Sequence, residues 1–115
     1  MASFAFALPV LPGQEEIVRR IGEAVSEDLR EEYEESRRRL GISEEKVWAQ
    51  RTPIGEAIIV YWETEEPQRT LREMADSQDE FDKRFRQLIE TAAPAIDLTK
   101  AQPLSNELLF EWPGR

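Results

Sequence analysis

The chain contains no cysteine and no histidine. Without cysteine there is no disulfide framework and no thiol chemistry, and the redox state of the compartment leaves no mark on the sequence. Without histidine the usual general base, the usual proximal haem ligand and the commonest zinc ligand are missing together. A metal would have to be a hard one held by carboxylates alone, and neither a metal nor a cofactor is expected. Long hydrophobic runs are lacking as well, since none approaches the roughly 18 residues needed to span a bilayer. Basic residues are scarce relative to acids, 15 against 24, for a net charge of -9. Nucleic acid is therefore an unsuitable partner, because a phosphate backbone needs clustered lysine and arginine to displace its counterions. The N-terminal run Met1 to Leu11 is apolar but has no basic segment before it and meets Pro12-Gly13 at once. It reads as a strand and not as a signal peptide, which makes a soluble cytoplasmic protein, without membrane association, the expectation.

What is present suits one globular domain over residues 1–115. Hydrophobic residues make up 40% and charged residues 34% of the 115, enough for a core under a heavily charged exterior. The β-branched and aromatic residues concentrate between Lys46 and Glu63, two apolar runs separated by Thr52-Pro53-Ile54-Gly55. Proline presets one turn dihedral and glycine tolerates positive φ, so the segment predicts a hairpin of strands over Ile42–Thr52 and Glu56–Glu63. The second strand is apolar on both faces, Ala57, Ile59 and Tyr61 against Ile58, Val60 and Trp62, which implies burial on both.

The flanking segments supply cover. Ser3 to Val10 alternates, with Phe4, Phe6, Leu8 and Val10 opposite Ser3, Ala5, Ala7 and Pro9, and predicts a first strand. Gln14 to Leu40 predicts a helix closed by Gly41, with a kink at Ser26 to Asp28 where helix propensity falls. Its buried stripe is Ile17, Ile21, Val25, Leu29 and Tyr33, and its charges pair at four-residue spacing: Glu15 with Arg19, Glu16 with Arg20, Glu34 with Arg38, Glu35 with Arg39. The acids Glu31, Glu32, Glu34 and Glu35 point around more than half the helix and read as a solvated face, not a cation site. Pro67 opens a short helix with Leu71, Met74 and Ala75. Ser77 to Glu80 has capping-box spacing ahead of a second helix with Phe81, Phe85, Leu88 and Ile89, ended by Pro94. Ile96 to Ser105 reads as an irregular connection and Glu107 to Trp112 as a last strand. The order β-α-β-β-α-β predicts an α+β, ferredoxin-like domain, a four-stranded antiparallel sheet with helices on one face and the other face open.

The apolar first strand ending in Pro12-Gly13 before an acidic helix, the Lys46-Val47-Trp48 strand and the Tyr61-Trp62-Glu63 strand end resemble the dimeric α/β-barrel superfamily. That superfamily includes antibiotic-biosynthesis-monooxygenase-like and stress-responsive barrels. More closely, with Phe81-Asp82 followed by Arg84-Phe85-Arg86, the chain is similar to a family of small uncharacterised bacterial proteins of this fold. The resemblance spans the chain and implies a homodimer in which two open sheet faces close into a barrel around a pocket for a small apolar or aromatic ligand. It transfers no catalytic residue, because histidine-dependent members have no counterpart here.

Candidate ligand-facing residues follow. Trp48, Arg51, Tyr61 and Glu63 carry polar tips among apolar neighbours on the hairpin, and Phe81, Arg84 and Phe85 stand at a helix start. Each has a plainer reading, the aromatics as core or dimer interface and the charges as surface pairs, Arg51 with Glu63 and Asp82 with Arg86. Two functions are compatible with the sequence: a ligand-binding or stress-related module, and a cofactor-independent monooxygenase in which Arg51 stabilises a developing enolate.

Overall fold

A computed structural model describes residues 2–94 and 104–114. The order of elements is β1 (Ala2–Pro9), α1 (Glu15–Ser26), α2 (Arg30–Arg39), β2 (Ile42–Thr52), β3 (Gly55–Thr64), α3 (Pro67–Asp76) and α4 (Glu80–Ala92). The strands form one antiparallel sheet in the order β1-β3-β2, so the architecture is α+β, three strands and four helices.

The hairpin is where its turn chemistry places it, Thr52 pairing with Gly55 across Pro53-Ile54. Gly55 has φ of 142°, and Thr52 Oγ1 donates to its carbonyl at 2.8 Å. As the central strand, β3 alternates strictly: Ile58, Val60, Trp62 and Thr64 are buried while Ala57, Ile59, Tyr61 and Glu63 are half-buried. In β1, Phe4, Leu8 and Val10 share the buried side, and Leu71 and Met74 of α3 and Ile89 of α4 complete one core with them. The Val10 amide donates to the Glu56 carbonyl at 2.9 Å, so even-numbered amides of this segment face β3 and odd-numbered ones face outward. Pro9, without an N–H, thus falls on the outer edge and interrupts no ladder bond.

Three expectations change. The single helix over Gln14 to Leu40 is two helices, broken at Glu27 to Leu29, a span that overlaps the kink expected at Ser26 to Asp28, and the Leu29 amide turns back to the Ala24 carbonyl at 2.7 Å. Apolar residues at strict four-residue spacing drift around a straight helix by about 40° per step. The break re-aims the chain, and Ile17, Ile21, Val25, Leu29 and Tyr33 end half-buried, not as a buried stripe. Second, α4 is capped by Asp79, whose carboxylate accepts from the amides of Phe81 and Asp82, while Ser77 closes α3. Third, no fourth strand joins the sheet among the described residues. Among the described residues Glu107 to Trp112 pairs with no strand, and contact with the outer edge of β1 comes from the Asn106 carboxamide, which accepts from the Ala5 amide at 2.8 Å and donates to its carbonyl at 2.9 Å. The connection expected over Ile96 to Ser105 lies outside the described residues except for its last two.

Candidate functional site

The break between α1 and α2 leaves the helix-side face of β2 incompletely covered. No residue of α1 is fully buried, and Val47, on the helix side of β2, is 53% exposed. The result is a cleft of about 670 Å³ between α1, the start of α2, α4 and β2, walled by Val18, Ile21, Val25, Val47, Ile58 and Phe85. A cleft of this size and character is within the usual range for small-molecule sites.

Tyr33 and Glu45 stand at its inner end. Glu45 reaches the helix side only because of a β-bulge: Ile42 pairs with Thr64 but Glu44 with Glu63, so Ser43 is the extra residue and every later residue of β2 changes face. Its carboxylate accepts from Arg37 Nε at 2.9 Å and Tyr33 Oη at 2.5 Å on Oε1, and from Trp62 Nε1 at 2.6 Å on Oε2. The Glu45 and Arg37 side chains are only 5% and 8% exposed. Arg37 is further held between the Tyr33 and Phe85 rings, 4.8 Å from each centroid.

The network continues inward. Arg37 Nη1 donates to Ser36 Oγ at 2.9 Å, and Ser36 Oγ donates to Asp82 Oδ1 at 2.5 Å. Asp82 Oδ2 accepts from Ser77 Oγ at 2.5 Å and Arg39 Nη1 at 2.9 Å. Six side chains thus tie β2 and α2 to the start of α4 and the end of α3. Burial would raise the Glu45 carboxyl, but Arg37 beside it and the bonds from Arg37, Tyr33 and Trp62 hold it below its ordinary value. At Asp82 burial is likewise outweighed by Ser36, Ser77 and Arg39. The Tyr33 phenol is pushed well above its usual range by burial first and by the Glu45 charge next.

These directions fix a pH dependence. Both carboxyls titrate below their ordinary values of 4.5 and 3.8 when folded, so their stabilisation is complete above those values and disappears as pH falls through the lower folded ones. We expect urea midpoints that are level from about pH 7 to 5 and drop steeply below about pH 4. A midpoint unchanged down to about pH 3 would contradict the network's role.

Chemically, Glu45 is a neutralised anion and not a general base: three donors occupy three of roughly four lone-pair positions. One position on Oε2 remains for a ligand donor, and the Tyr33 oxygen can still accept. The cleft therefore offers an apolar slot with a small polar end.

The seven residues singled out from sequence do not converge. Trp48, Tyr61 and Glu63 lie on the opposite, open face of the sheet, where Tyr61 donates to Glu63 and Ser3 Oγ donates to Glu63 at 2.7 Å. Arg51 is 76% exposed near the hairpin end, 3.6 Å from Glu56, which Arg19 grips with two bonds at 2.9 and 3.1 Å. Phe81 and Phe85 stack with centroids 5.8 Å apart, and Arg84 is exposed. Only Phe85 lines the cleft. Tyr33, Arg37, Glu45 and Asp82 went unrecognised as a set. Three helix arginines leave their expected partners, Arg19 for Glu56, Arg38 for Glu35 and Arg39 for Asp82. Arg86, set against Asp82 as a surface pair, instead caps α3 through the Met74 carbonyl at 2.7 Å.

Among the described residues no group of acidic side chains is arranged to hold a metal ion, and no helix is long and apolar enough to cross a membrane. Comparison with family models, with curated proteins and with solved structures finds no match to this chain.

Proposed function

We propose that the chain is a small-ligand-binding module that works as a homodimer, with the ligand in the cleft between α1 and β2 and a second copy over the open sheet face. The observation that carries the reading is the cleft itself, about 670 Å³ of largely apolar wall ending on Tyr33 and Glu45. The ligand class it favours is a neutral molecule with an aromatic or aliphatic body and one hydroxyl or amide N–H to meet Glu45. The β-α-β-β-α order, with β1 and β3 adjacent and helices packed on one side only, supports a ferredoxin-like domain of the dimeric α/β-barrel kind. In that reading the outer edge of β1, where Asn106 docks, is the place of the fourth strand. The setting we infer is the cytoplasm, on the sequence grounds given above.

The enzymatic alternative places Arg51 beside a reacting substrate. Arg51 stands outside the cleft and Glu45 is held as the carboxylate by three donors, which makes it a poor base, so the geometry favours binding over turnover.

Ala49 is exposed on the cleft wall, so Ala49→Trp fills the space without touching the core. Native protein should bind a neutral naphthol with an emission shift and gain thermal stability, about 2.7 kcal/mol at a hundredfold excess over Kd. The variant should bind at least about tenfold more weakly, a loss of roughly 1.4 kcal/mol. Equal binding by both proteins would place the site elsewhere.

A further inference from the structure

Among the described residues, two apolar surfaces of this chain have nothing of their own chain against them. One is the open sheet face, where Trp48 is 51% exposed and Ile59 and Tyr61 stand beside it, flanked by the small Ala5 and Ala7 of β1. The other is the stretch after Asn106. Leu108, Leu109, Phe110 and Trp112 are 75%, 77%, 87% and 92% exposed. In an extended chain Leu108, Phe110 and Trp112 fall on one side, and Glu107, Leu109 and Glu111 on the other. Water tolerates scattered apolar side chains, but two contiguous groups on one small molecule mark an interaction surface.

The occupant of each group is the other, supplied by a second copy. A two-fold axis lets each copy give its terminal stretch and receive its neighbour's, so both surfaces are covered at once with no further component. Aromatic side chains bury up to roughly 150–250 Å² each, and with Trp48, Ile59 and Tyr61 already partly covered, setting Leu108, Phe110 and Trp112 against them removes on the order of 1,500 Å² from water over both copies. That is in the range of specific, stable interfaces. The Asn106 anchor on Ala5 starts the stretch at the border of the open face.

We propose that residues 107–112 form an exchange arm: each copy's arm lies across the open sheet face of the other. The proposal rests on the homodimer inferred above and adds the segment that closes it. The arm also accounts for the unpaired end of the chain, whose alternating pattern is that of a strand awaiting a surface.

The absence of native cysteine makes the test direct. Chains carrying Ile59→Cys are mixed at about ten micromolar with chains carrying Phe110→Cys, oxidised mildly, and the linked peptides identified by mass; Ile54→Cys, at the fully exposed hairpin tip, serves as control. Sedimentation of native protein and of full-length Phe110→Asp/Trp112→Asp is run in parallel, all substituted positions except the half-buried Ile59 being exposed. The expected result is a 59–110 link between chains, no 54–110 link, and a dimer of twice 13.4 kDa weakened at least about 30-fold by the arm substitutions. A dimer unaffected by those substitutions and lacking the 59–110 link would overturn the arm and leave the homodimer standing. A native chain that stays monomeric to about a millimolar would overturn both.

Discussion

Glu45→Ala is expected to lower stability by about 3–5 kcal/mol, because it leaves the Arg37 guanidinium charged, buried and without its carboxylate. At roughly 4 °C per kcal/mol for a domain of this size, the midpoint of thermal unfolding should fall by about 12–20 °C. Three donors lose their acceptor in one step, and Arg37 cannot shed its proton to relieve the loss. Tyr33→Phe removes one of those bonds and should cost only about 1 kcal/mol. Lys46→Ala, an exposed neighbour on the same strand, should change stability by less than about 0.5 kcal/mol. Replacing both ions, Glu45→Leu with Arg37→Met, should recover most of the loss, since two apolar groups of similar volume need no solvation. Differential scanning calorimetry of the four variants separates these outcomes. A Glu45→Ala protein within about 1 kcal/mol of native would mean that water enters the site freely.

Asp82→Ala is the second large effect, at about 3 kcal/mol. It strips the acceptor from Ser36, Ser77 and Arg39 at the point where the start of α4 meets α2 and the end of α3. Ser36 then has no carboxylate to donate to while still accepting from Arg37, so the damage travels along the chain of bonds toward Glu45. For that reason Asp82→Ala and Glu45→Ala should fail to add: the double variant should be less destabilised than the sum by about 0.5–3 kcal/mol, as for other groups sharing one network. Agreement with the sum to within about 0.3 kcal/mol would show two separate clusters that merely abut. Asp82→Ala alone should leave naphthol binding in the cleft within about threefold of native, because Asp82 does not line it.

The open face of the sheet shows what pattern reading does well. Ala57, Ile59 and Tyr61 opposite Ile58, Val60 and Trp62 implied a strand covered on two sides, and the structure has the helices on one of them. Trp48, Tyr61 and Glu63, grouped with Arg51 from the sequence, lie on one surface of the sheet, the one away from the cleft. Arg51 differs in parity from Trp48, and so was separated from it by strand geometry alone. The terminal strand was legible as a pattern in Leu108, Phe110 and Trp112, yet pattern does not supply a neighbour to pair with.

The cleft was not legible. Glu45 faces the helices because Ser43 bulges, and a serine between an isoleucine and two glutamates carries no sign of a bulge. Arg37, Arg38 and Arg39 look alike in sequence; the turn of α2 after the break sends the first inward to Glu45, the second to solvent and the third to Asp82. Asp82 read as one half of a surface pair because Arg86 lies four residues on, and the approach of Ser36 and Arg39 from 46 and 43 positions away, with Ser77 nearby, gave it other partners.

By itself, then, the sequence determined the kinds of element, their order, the hairpin and the exclusion of thiol and imidazole chemistry. These depend on side-chain type, backbone propensity and periodicity, which act over a few neighbouring residues. Tertiary structure alone decided which carboxylates are buried and what they bind, where α1 parts from β2 to open the cleft, and that Leu108, Leu109, Phe110 and Trp112 are left exposed. Those outcomes depend on which distant segments come together, and a charged or apolar side chain takes its energetic meaning from that company.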